Sequence, residues 1–382
     1  MKISVAVRTK FHAFQLAQQL QNRGALATLY TSFYGKILGK SNKIGFSIQP
    51  DKVRQNYLTA LLFYGFNLHK FPIYQYFGEW TAKQLTEEDL VVMFPMIALP
   101  ILQKSKSLGI KTVISHASAH TIEHKNLLIE AYQQAGLSTK FLEEEFSKRR
   151  QDTVQEEYAM ADFIQVPSTF VEQTFLANGI PAHKLKVIPL GVDLRFFYRE
   201  NISLPKKFRL IYVGQLSVQK GLPTLLRAFE ELNLPDVELC LVGALLPEIK
   251  NILAKNNKNI NYLGILPQNK LIHEFQRSSV FVIHSVQDGF AQVVPQAMAC
   301  GLPVICSANV GGADLVIDGK TGFVTPIYAV EKLKEKILYF YQNPQEIIRM
   351  GYEAQQKVEN NYTWDIFGQN SYDFYQTILA NK

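Results

Sequence analysis

The sequence predicts an α/β fold made of two parallel sheets covered by helices. The chain has 382 residues, more than one hydrophobic core usually organises, so we expect two domains. Short apolar runs typical of buried strands alternate with segments of helical periodicity along most of the chain. This alternation lapses between 196 and 208, around Pro205-Lys206-Lys207, and then begins again. We interpret this stretch as the linker between the domains.

The N-terminal half opens with a strand–helix–strand unit. Ile3–Val7 is predicted as a buried strand, His12–Gln21 as a helix and Ala25–Tyr30 as a second strand. Further helices are predicted at Tyr57–Phe66, Gly78–Gln84 and Ile97–Lys106, and further strands at Leu90–Met93, Lys111–Ser115, Phe163–Pro167 and Lys186–Pro189. The segment Glu143–Glu157 is expected to be a solvated, charged helical face. Alternation of this kind favours a parallel sheet with both faces covered.

The C-terminal half repeats the pattern. Strands are predicted at Arg209–Val213, Val237–Val242, Ile260–Leu263, Val280–Ile283 and Leu302–Cys306. Helices are predicted up to Leu232, up to Arg277, at Ala329–Tyr341, at Pro344–Asn360 and from Tyr362 onward. One more helix, Phe290–Cys300, is closed by Gly301, and its start moves to Val294 if Pro295 delays it.

Composition indicates a soluble, reduced protein. The hydrophobic fraction is 47% and the mean hydropathy is −0.03. Because no apolar run approaches the length of a membrane span and the N-terminus lacks the apolar core of a signal peptide, we expect a cytoplasmic location. Cys240, Cys300 and Cys306 lie in apolar stretches without metal-type spacing, so each is expected in the core.

The net charge of +7 is unevenly distributed, since no acidic residue precedes Asp51. Between Tyr30 and Phe77 the basic residues mix with many aromatic ones. A positive field of this kind can attract nucleic acid, anionic lipid headgroups or a pyrophosphate compound. Two interpretations stay open for the aromatic residues: a core beneath solvated lysines, or a surface that contacts a membrane or a lipid-linked acceptor.

The stretch that follows the predicted strand Val280–Ile283 carries the strongest chemical signal. A polar turn containing Asp288 lies there, and the next helix carries Gln296. At the carboxyl end of a parallel strand, such a turn and the free N–H groups of the following helix favour anions. Asp288 and Gln296 are eight residues apart, a little over two helical turns, so both can reach one ligand.

This stretch resembles the retaining glycosyltransferases of the GT-B class, family 4 type, also called group 1. Those enzymes carry Glu, seven residues and Glu in the frame E-G-F-G…E-A-M-A-x-G-x-P, and this chain has D-G-F-A…Q-A-M-A-C-G-L-P. In the family the first Glu lies by the donor sugar and the second holds the ribose. The resemblance assigns these roles to Asp288 and Gln296. It also implies that backbone N–H groups of the turn bind sugar and phosphate, which here concerns Gly289, Phe290, Ala291 and Gln292.

Other motifs of the family recur on both sides of the linker. Val166-Pro167-Ser168 and Pro189-Leu190-Gly191-Val192-Asp193 match V-P-S and P-x-G-V-D. The family motif G-R-L-S-x-x-K-G, in which Arg and Lys hold the diphosphate, is present with Gln215 in place of Arg and with Lys220 kept. The backbone after the third strand faces the nucleotide base in the family, which here implies Ile265 and Leu266.

Two loops of the N-terminal half are candidates for the same cleft. Ile114-Ser115-His116-Ala117-Ser118 resembles a Thr-Phe-His-Thr-Ser segment whose His contacts the donor sugar, so the resemblance implies that role for His116. The turn after the first strand, Thr9-Lys10-Phe11-His12-Ala13, lacks the glycines that related enzymes often have. Side chains such as Lys10 and His12 would therefore have to hold any phosphate that comes near it.

Three other classes compete with a glycosyltransferase. His120-Thr121-Ile122-Glu123-His124 matches the H-x-x-E-H pattern of inverted zinc peptidases, although no further ligand segment is evident. A nucleotide-sugar 2-epimerase shares the GT-B architecture. A non-catalytic protein that binds carbohydrate or a lipid surface would also be compatible with the altered carboxylates.

The resemblance implies two Rossmann-like domains that face a central cleft, at 1–200 and 208–360, with a helix at 361–382 that crosses back. It implies a retaining hexosyltransferase with His116 and Asp288 as catalytic residues. The enzyme would move sugar from a nucleotide-diphosphate sugar to a glycan or lipid-linked acceptor, in polysaccharide or glycolipid biosynthesis. Because no Asp-x-Asp triplet occurs, we expect no metal and no cofactor. We expect no nucleic-acid partner, and peripheral binding to the cytoplasmic face of a membrane.

Overall fold

The structure is a computed structural model. It describes residues 1–9, 12–34, 36–37, 40–41, 47–62, 66, 71–200, 203, 205–253 and 259–380. Lys10 of the predicted cleft loop lies outside the described residues.

The N-terminal half forms one parallel sheet. Its strands, together with the short antiparallel pair β3 and β4, are β1 (Ile3–Val7), β2 (Leu26–Thr31), β3 (Lys36–Ile37), β4 (Lys40–Ser41), β5 (Val53–Gln55), β6 (Leu90–Met93), β7 (Lys111–Ser115), β8 (Phe163–Val166) and β9 (Leu185–Val187). The order in the sheet is β5-β2-β1-β6-β7-β8-β9. The helices are α1 (Ala13–Asn22), α2 (Tyr57–Ala60), α3 (Phe71–Ala82), α4 (Ala98–Leu108), α5 (Thr121–Gln134), α6 (Lys140–Glu145), α7 (Lys148–Met160) and α8 (Thr169–Ala177).

The C-terminal half forms a second parallel sheet. Its strands are β10 (Phe208–Val213), β11 (Val237–Val242), β12 (Ile260–Gly264), β13 (Val280–Ile283), β14 (Val304–Ser307) and β15 (Gly322–Thr325), in the order β12-β11-β10-β13-β14-β15. The helices are α9 (Leu222–Leu232), α10 (Pro247–Leu253), α11 (Gln268–Gln276), α12 (Val293–Ala299), α13 (Val330–Gln342), α14 (Pro344–Asn361) and α15 (Trp364–Ala380). The predicted class, α/β with two parallel sheets, is confirmed.

The predicted helix Phe290–Cys300 is shorter in the structure, because α12 begins at Val293. Ala291 adopts a left-handed conformation with φ of 52°, which a helix cannot contain. The Asp288 carboxylate holds this turn, since its Oδ1 accepts hydrogen bonds from the N–H groups of Ala291 at 2.7 Å and Phe290 at 3.3 Å. Residues 288–292 are therefore a structured turn that ends at the helix start.

The expectation of a solvated face at Glu143–Glu157 is wrong for Glu157. This carboxylate is fully buried and accepts hydrogen bonds from the N–H groups of Met96 (2.8 Å), Ala98 (2.9 Å) and Leu99 (3.1 Å). Met96 precedes α4, whereas Ala98 and Leu99 are its first two residues, whose N–H groups have no partner within the helix. Burial nonetheless raises the pKa of Glu157 to about 7. A side chain of α7 thus caps α4.

The two halves meet at several points besides the linker. The hydroxyl of Thr169 donates to Asp314 Oδ1 at 2.5 Å, and the Ser168 hydroxyl donates to the Gly289 carbonyl at 2.8 Å. Helix α15 returns to the N-terminal sheet, where the hydroxyl of Tyr375 donates to Gln165 Oε1 at 2.7 Å. Arg23 of α1 forms an ion pair with Asp365 of α15 at 2.9 Å.

Cys240, Cys300 and Cys306 are buried free thiols, as expected of core residues. None of the helices in the described part of the chain combines the length and the apolar character needed to span a bilayer.

Candidate functional site

The candidate site lies where the loop after β7 meets the loop between β13 and α12. A Cβ added to Gly289 would lie 2.0 Å from the Ala117 carbonyl oxygen, so these loops touch through a residue that has no side chain. The Gln287 amide donates to the Ser118 hydroxyl across the same gap at 2.9 Å. Both loops follow the carboxyl ends of parallel strands, so the edges of the two sheets at which those strands end face each other here.

Lys220 is the central cation of this site. It precedes Gly221, which caps α9 and approaches the His284 carbonyl so closely that any Cβ would clash. The ammonium group of Lys220 forms an ion pair with Asp288 Oδ2, and both side chains are less than one-fifth exposed. The structure therefore brings together two residues that the sequence predicted for one ligand site.

Both carboxylate oxygens of Asp288 are engaged, one with Lys220 and the other within the loop of Asp288 itself. One carboxylate oxygen bonds Lys220, and the other accepts hydrogen bonds from the N–H groups of Phe290 and Ala291. An Asp side chain is short enough to fold back on the next two or three residues of its turn. In this conformation the N–H of Ala291, predicted to bind the donor, is occupied by Asp288.

The other residues that were predicted to bind the sugar donor differ in their exposure and in their hydrogen-bond partners. The Gln292 amide donates to the carbonyl of Gly191. Gln215 is exposed, and its carbonyl accepts a hydrogen bond from the buried Tyr212 hydroxyl at 2.7 Å. Among the described contacts, no hydrogen bond links the side chain of Gln215 or Gln296 to Lys220 or Asp288. Gln296 and Leu266 are half-buried, whereas Ile265 is 77% exposed.

His116 is held by hydrogen bonds at both ring nitrogens. Its Nδ1 lies 2.8 Å from the Ser118 carbonyl oxygen, which can only accept, so Nδ1 carries the hydrogen. Its Nε2 then accepts from the Tyr158 hydroxyl at 2.7 Å. Burial lowers the pKa of His116 to about 3, so the ring is neutral. In this conformation neither nitrogen is available to a sugar hydroxyl, and His116 supports the loop that carries Ala117 and Ser118.

His12 faces the same strand edge from α1. Its Nε2 lies 3.0 Å from the Ser115 hydroxyl, and the Phe94 ring packs against it at 5.1 Å. Burial lowers the pKa of His12 to about 3, so it is a neutral polar group rather than a phosphate-binding cation.

A cavity of about 410 Å³ opens beside these loops. Apolar side chains form much of its wall, and His124 and Arg150 are among its polar residues. The apolar lining residues include Phe94, Pro95, Met96, Phe146 and Val154.

A chain of hydrogen bonds that the sequence did not predict crosses the cleft. His124 Nδ1 lies 3.2 Å from the Ser118 hydroxyl, which accepts from Gln287, and the Gln287 Oε1 accepts from the Gln219 amide at 2.9 Å. Two of these residues flank predicted ones, since Gln219 precedes Lys220 and Gln287 precedes Asp288. Periodicity could place them near the cleft, but only tertiary packing pairs them with α5.

The H-x-x-E-H segment does not form a metal site with other described side chains. His120 is buried against the rings of Tyr158 and Phe175, and its backbone N–H donates to Thr174. Within the described ranges, no group of three His, Cys, Asp or Glu side chains could hold a metal ion.

Residues 195–357 match the family model described as Glycosyl transferases group 1. The capsular polysaccharide biosynthesis glycosyltransferase CapM of Staphylococcus aureus is 23% identical over 244 residues, covering 59% of this chain and 64% of that protein. An uncharacterised glycosyltransferase of Methanocaldococcus jannaschii is 30% identical over 180 residues, covering 47% of this chain and 50% of that protein. The chain thus aligns with less than two thirds of either relative.

Solved structures resemble the chain over its whole length. Sucrose-phosphate synthase of Thermosynechococcus elongatus superposes with a TM-score of 0.75 at 19% identity and covers 100% of both chains. HepE of Anabaena, solved with UDP and glucose, gives a TM-score of 0.70 at 16% identity and covers 99% of this chain and 100% of its own. At these identities the likeness shows the fold. Residues 195–357 therefore match the group 1 glycosyl transferase family, and the whole chain has a GT-B fold of two Rossmann-like domains that face a cleft.

Proposed function

We propose that this protein transfers a sugar from a nucleotide-diphosphate sugar to a glycan or lipid-linked acceptor. The observation that carries the proposal is the Lys220–Asp288 pair at the interface of the two sheets, beside the start of α9. A lysine at a helix N-terminus is a charge-assisted phosphate ligand, which typically contributes about 1.5–3 kcal/mol. The match of residues 195–357 to the group 1 glycosyl transferase model agrees with this chemistry.

The donor diphosphate competes with Asp288 for Lys220. In the described conformation the Asp288 carboxylate takes the positions that an anionic ligand would use, on the ammonium group and on the N–H of Ala291. A diphosphate carries more charge than one carboxylate, so it can displace this pairing. Asp288 would then be free to contact the sugar, in the role that the family resemblance implies.

We further propose that transfer retains the anomeric configuration and needs no metal. Both nitrogens of His116 are hydrogen-bonded, so His116 is not poised to form a covalent sugar adduct, and the role that the family resemblance implies for Asp288 is a contact beside the donor sugar. This arrangement supports a route in which the leaving phosphate itself takes the proton of the acceptor on the same face. Lys220, backbone N–H groups and the dipoles of α9 and α12 would neutralise the leaving group.

The other predicted donor contacts are part of the proposal. Gln296 would hold the ribose, and the backbone at Ile265 and Leu266 would face the base. Gln215, standing where the family has an arginine, would contribute less to diphosphate affinity because it lacks the charged, two-pronged guanidinium. UDP-glucose is bound by HepE, and GDP-mannose is used by a related mannosyltransferase of Corynebacterium glutamicum, so both are proper first donors to test.

The acceptor is proposed to be lipid-linked or close to a membrane. Tyr57, Leu58 and Phe66 are 70%, 50% and 65% exposed, and they follow the acid-free N-terminal region. Exposed aromatic residues beside lysines suit a bilayer interface. CapM acts in capsular polysaccharide biosynthesis and the C. glutamicum relative on a phosphatidylinositol mannoside, as their names state. We therefore propose peripheral binding at the cytoplasmic face.

A thermal-shift screen of nucleotide sugars tests the donor, since a ligand that binds only the native state raises the apparent stability by RT ln(1 + [L]/Kd). Release of nucleoside diphosphate is then measured with donor alone, with donor and acceptor, and with a chelator added. Acceptor-dependent release that resists the chelator supports the proposal. Release that is independent of every acceptor favours a 2-epimerase, and the absence of nucleotide-sugar binding favours a non-catalytic protein.

A further inference from the structure

The cavity of about 410 Å³ belongs to the N-terminal half but reaches the C-terminal half at one edge. Every described residue that lines it precedes the linker. Two of these residues, Ala117 and Ser118, also contact Gly289 and Gln287 across the interface. Gly289 is part of the turn that is proposed to bind the donor. A molecule in the cavity would therefore lie next to this turn, where an acceptor is needed.

Arg150 is a cation on the cavity wall that lacks an anionic partner. It is half-buried on α7, and its Nη2 donates to the Sδ atom of Met96 at 3.2 Å. A thioether sulfur is a weak acceptor without charge. Among the described carboxylates, none forms an ion pair with Arg150, and this includes Glu145, which lines the same cavity but is exposed. Since a guanidinium binds carboxylate and phosphate oxygens through two parallel hydrogen bonds, Arg150 offers an open oxyanion site.

The backbone beside Arg150 is held in a costly conformation. Met96 has a φ of 71°, in the left-handed region that residues with a side chain rarely adopt. Its N–H donates to the buried Glu157 at 2.8 Å, and its carbonyl accepts from the Gln75 amide at 2.6 Å. Backbone strain of this kind concentrates at functional sites. Here the strained residue is the one that contacts Arg150 at the cavity wall.

The rest of the wall suits a small organic molecule. Gln151 follows Arg150 on α7 and is half-buried, and its side-chain amide makes no hydrogen bond to any other described residue. An amide can both donate to a hydroxyl and accept from one. Much of the remaining wall is apolar, with Phe94 and Phe146 among its side chains. Mostly apolar pockets of about 300–1,000 Å³ with a few polar groups are typical small-molecule sites.

We propose that this cavity binds the acceptor, through a sugar residue that carries a phosphate or a carboxylate group, and that Arg150 binds this anion. The proposal rests on the proposed function, because it supplies the acceptor for the donor that the neighbouring turn would hold. The hydroxyl groups of the sugar would contact the Gln151 amide, and its C–H groups would pack on the apolar wall. Phosphate and carboxylate share the oxyanion chemistry that a guanidinium recognises, and the experiment separates them.

Sugars with and without an anionic group provide the test. Hexose phosphates and hexuronates of the gluco, galacto and manno series are compared with the neutral hexoses in calorimetric titrations of the full chain. We expect the wild type to bind a member of one anionic series about 10- to 100-fold more tightly than its neutral counterpart, the range for hydrogen bonds to a charged group. Arg150→Gln should abolish this preference, whereas Arg150→Lys, which keeps the positive charge, should retain part of it.

Arg149→Gln is the matched control. It removes the preceding arginine of α7, whose guanidinium lies over the Phe71 ring and which does not line the cavity. The preference for the anionic sugar should be unchanged in this variant. A second readout needs no variant: the preferred anionic sugar, and not the neutral one, should slow the modification of Arg150 by phenylglyoxal in the wild type, as mapped by mass spectrometry.

The outcomes separate this inference from the proposed function. If no anionic sugar binds more tightly than its neutral counterpart, or if the preference survives in Arg150→Gln, the inference is wrong. The proposed function then still stands, provided that a nucleotide sugar raises the melting temperature. Conversely, anionic sugars that bind through Arg150 to a protein that binds no nucleotide sugar would support the oxyanion site and overturn the proposed function.

Discussion

Replacing Gly289 with alanine should separate the two halves of the site without unfolding either. Gly289 does not adopt the left-handed conformation, so its backbone accepts an alanine. The added Cβ would lie 2.0 Å from the Ala117 carbonyl oxygen and 3.1 Å from Ser118 Cα. These are backbone atoms and cannot rotate away. The contact must therefore open by more than about 1 Å to reach van der Waals distance.

This displacement sets the size of the expected effect. The opening would lengthen the hydrogen bonds of Ser168 to Gly289 and of Gln287 to Ser118, which are 2.8 and 2.9 Å long. Misplacing reacting groups by 1 Å can reduce the rate about 100-fold, because near-attack geometry is lost. We expect kcat of Gly289→Ala to fall by about this factor. Binding of nucleoside diphosphate, which rests mainly on the C-terminal half, should weaken much less.

The assay is steady-state release of nucleoside diphosphate with donor and acceptor, combined with small-angle scattering to detect opening. Gly351→Ala is the matched control, since its Cβ would meet the Gly301 carbonyl oxygen at 2.2 Å but inside the C-terminal half. That variant should lose thermal stability while its folded fraction keeps a kcat within about threefold of the wild type. A Gly289→Ala enzyme with wild-type kcat would refute the reasoning that the observed loop contact is the active arrangement.

Three further predictions follow from charge. Lys220→Ala should weaken diphosphate binding far more than nucleoside binding, and equal losses in calorimetry would contradict the phosphate contact. Burial raises the pKa of Glu157 from 4.5 to about 7 in the native state, so the native protein binds the extra proton. Wild-type unfolding free energy should therefore fall as pH rises through this interval, whereas Glu157→Gln should lack this fall in denaturant titrations. In co-sedimentation at low salt the protein should bind anionic vesicles and not neutral ones, and Phe66→Ser should bind less; equal binding to both lipids would leave a soluble acceptor as the better hypothesis.

The strand pattern could be predicted because buried parallel strands are nearly continuous apolar runs. Leu90–Met93, Lys111–Ser115, Val237–Val242 and Val280–Ile283 begin and end in the structure where the sequence predicts. Helix limits were less accurate where a side chain competes with the helical backbone. Asp288 does this by binding the turn N–H groups that a longer helix would have used.

Residue roles in the site were harder to predict than its location. The sequence places His116 at a strand end, but it does not reveal that Tyr158 and the Ser118 carbonyl take both ring nitrogens. It likewise does not reveal that the Ser118 hydroxyl beside His124 accepts a hydrogen bond from Gln287, because Gln287 is 163 residues away from His124 along the chain. Periodicity reports which face of an element is buried and says nothing about side-chain pairs of this kind.

Helix α15 is the last element to be synthesised, yet it packs against the N-terminal sheet. Phe367 of this helix is buried and packs near His12, and the buried Tyr375 is hydrogen-bonded to Gln165. About 180 residues separate the end of β9 from the start of α15. At about 5–20 residues per second, a ribosome needs roughly 10–40 s to translate that interval. During this time the N-terminal sheet is complete but the surface that α15 covers stays open to water. The nascent chain is therefore most exposed to aggregation and to chaperones before α15 emerges, and the C-terminal sheet can fold before α15 covers the N-terminal sheet.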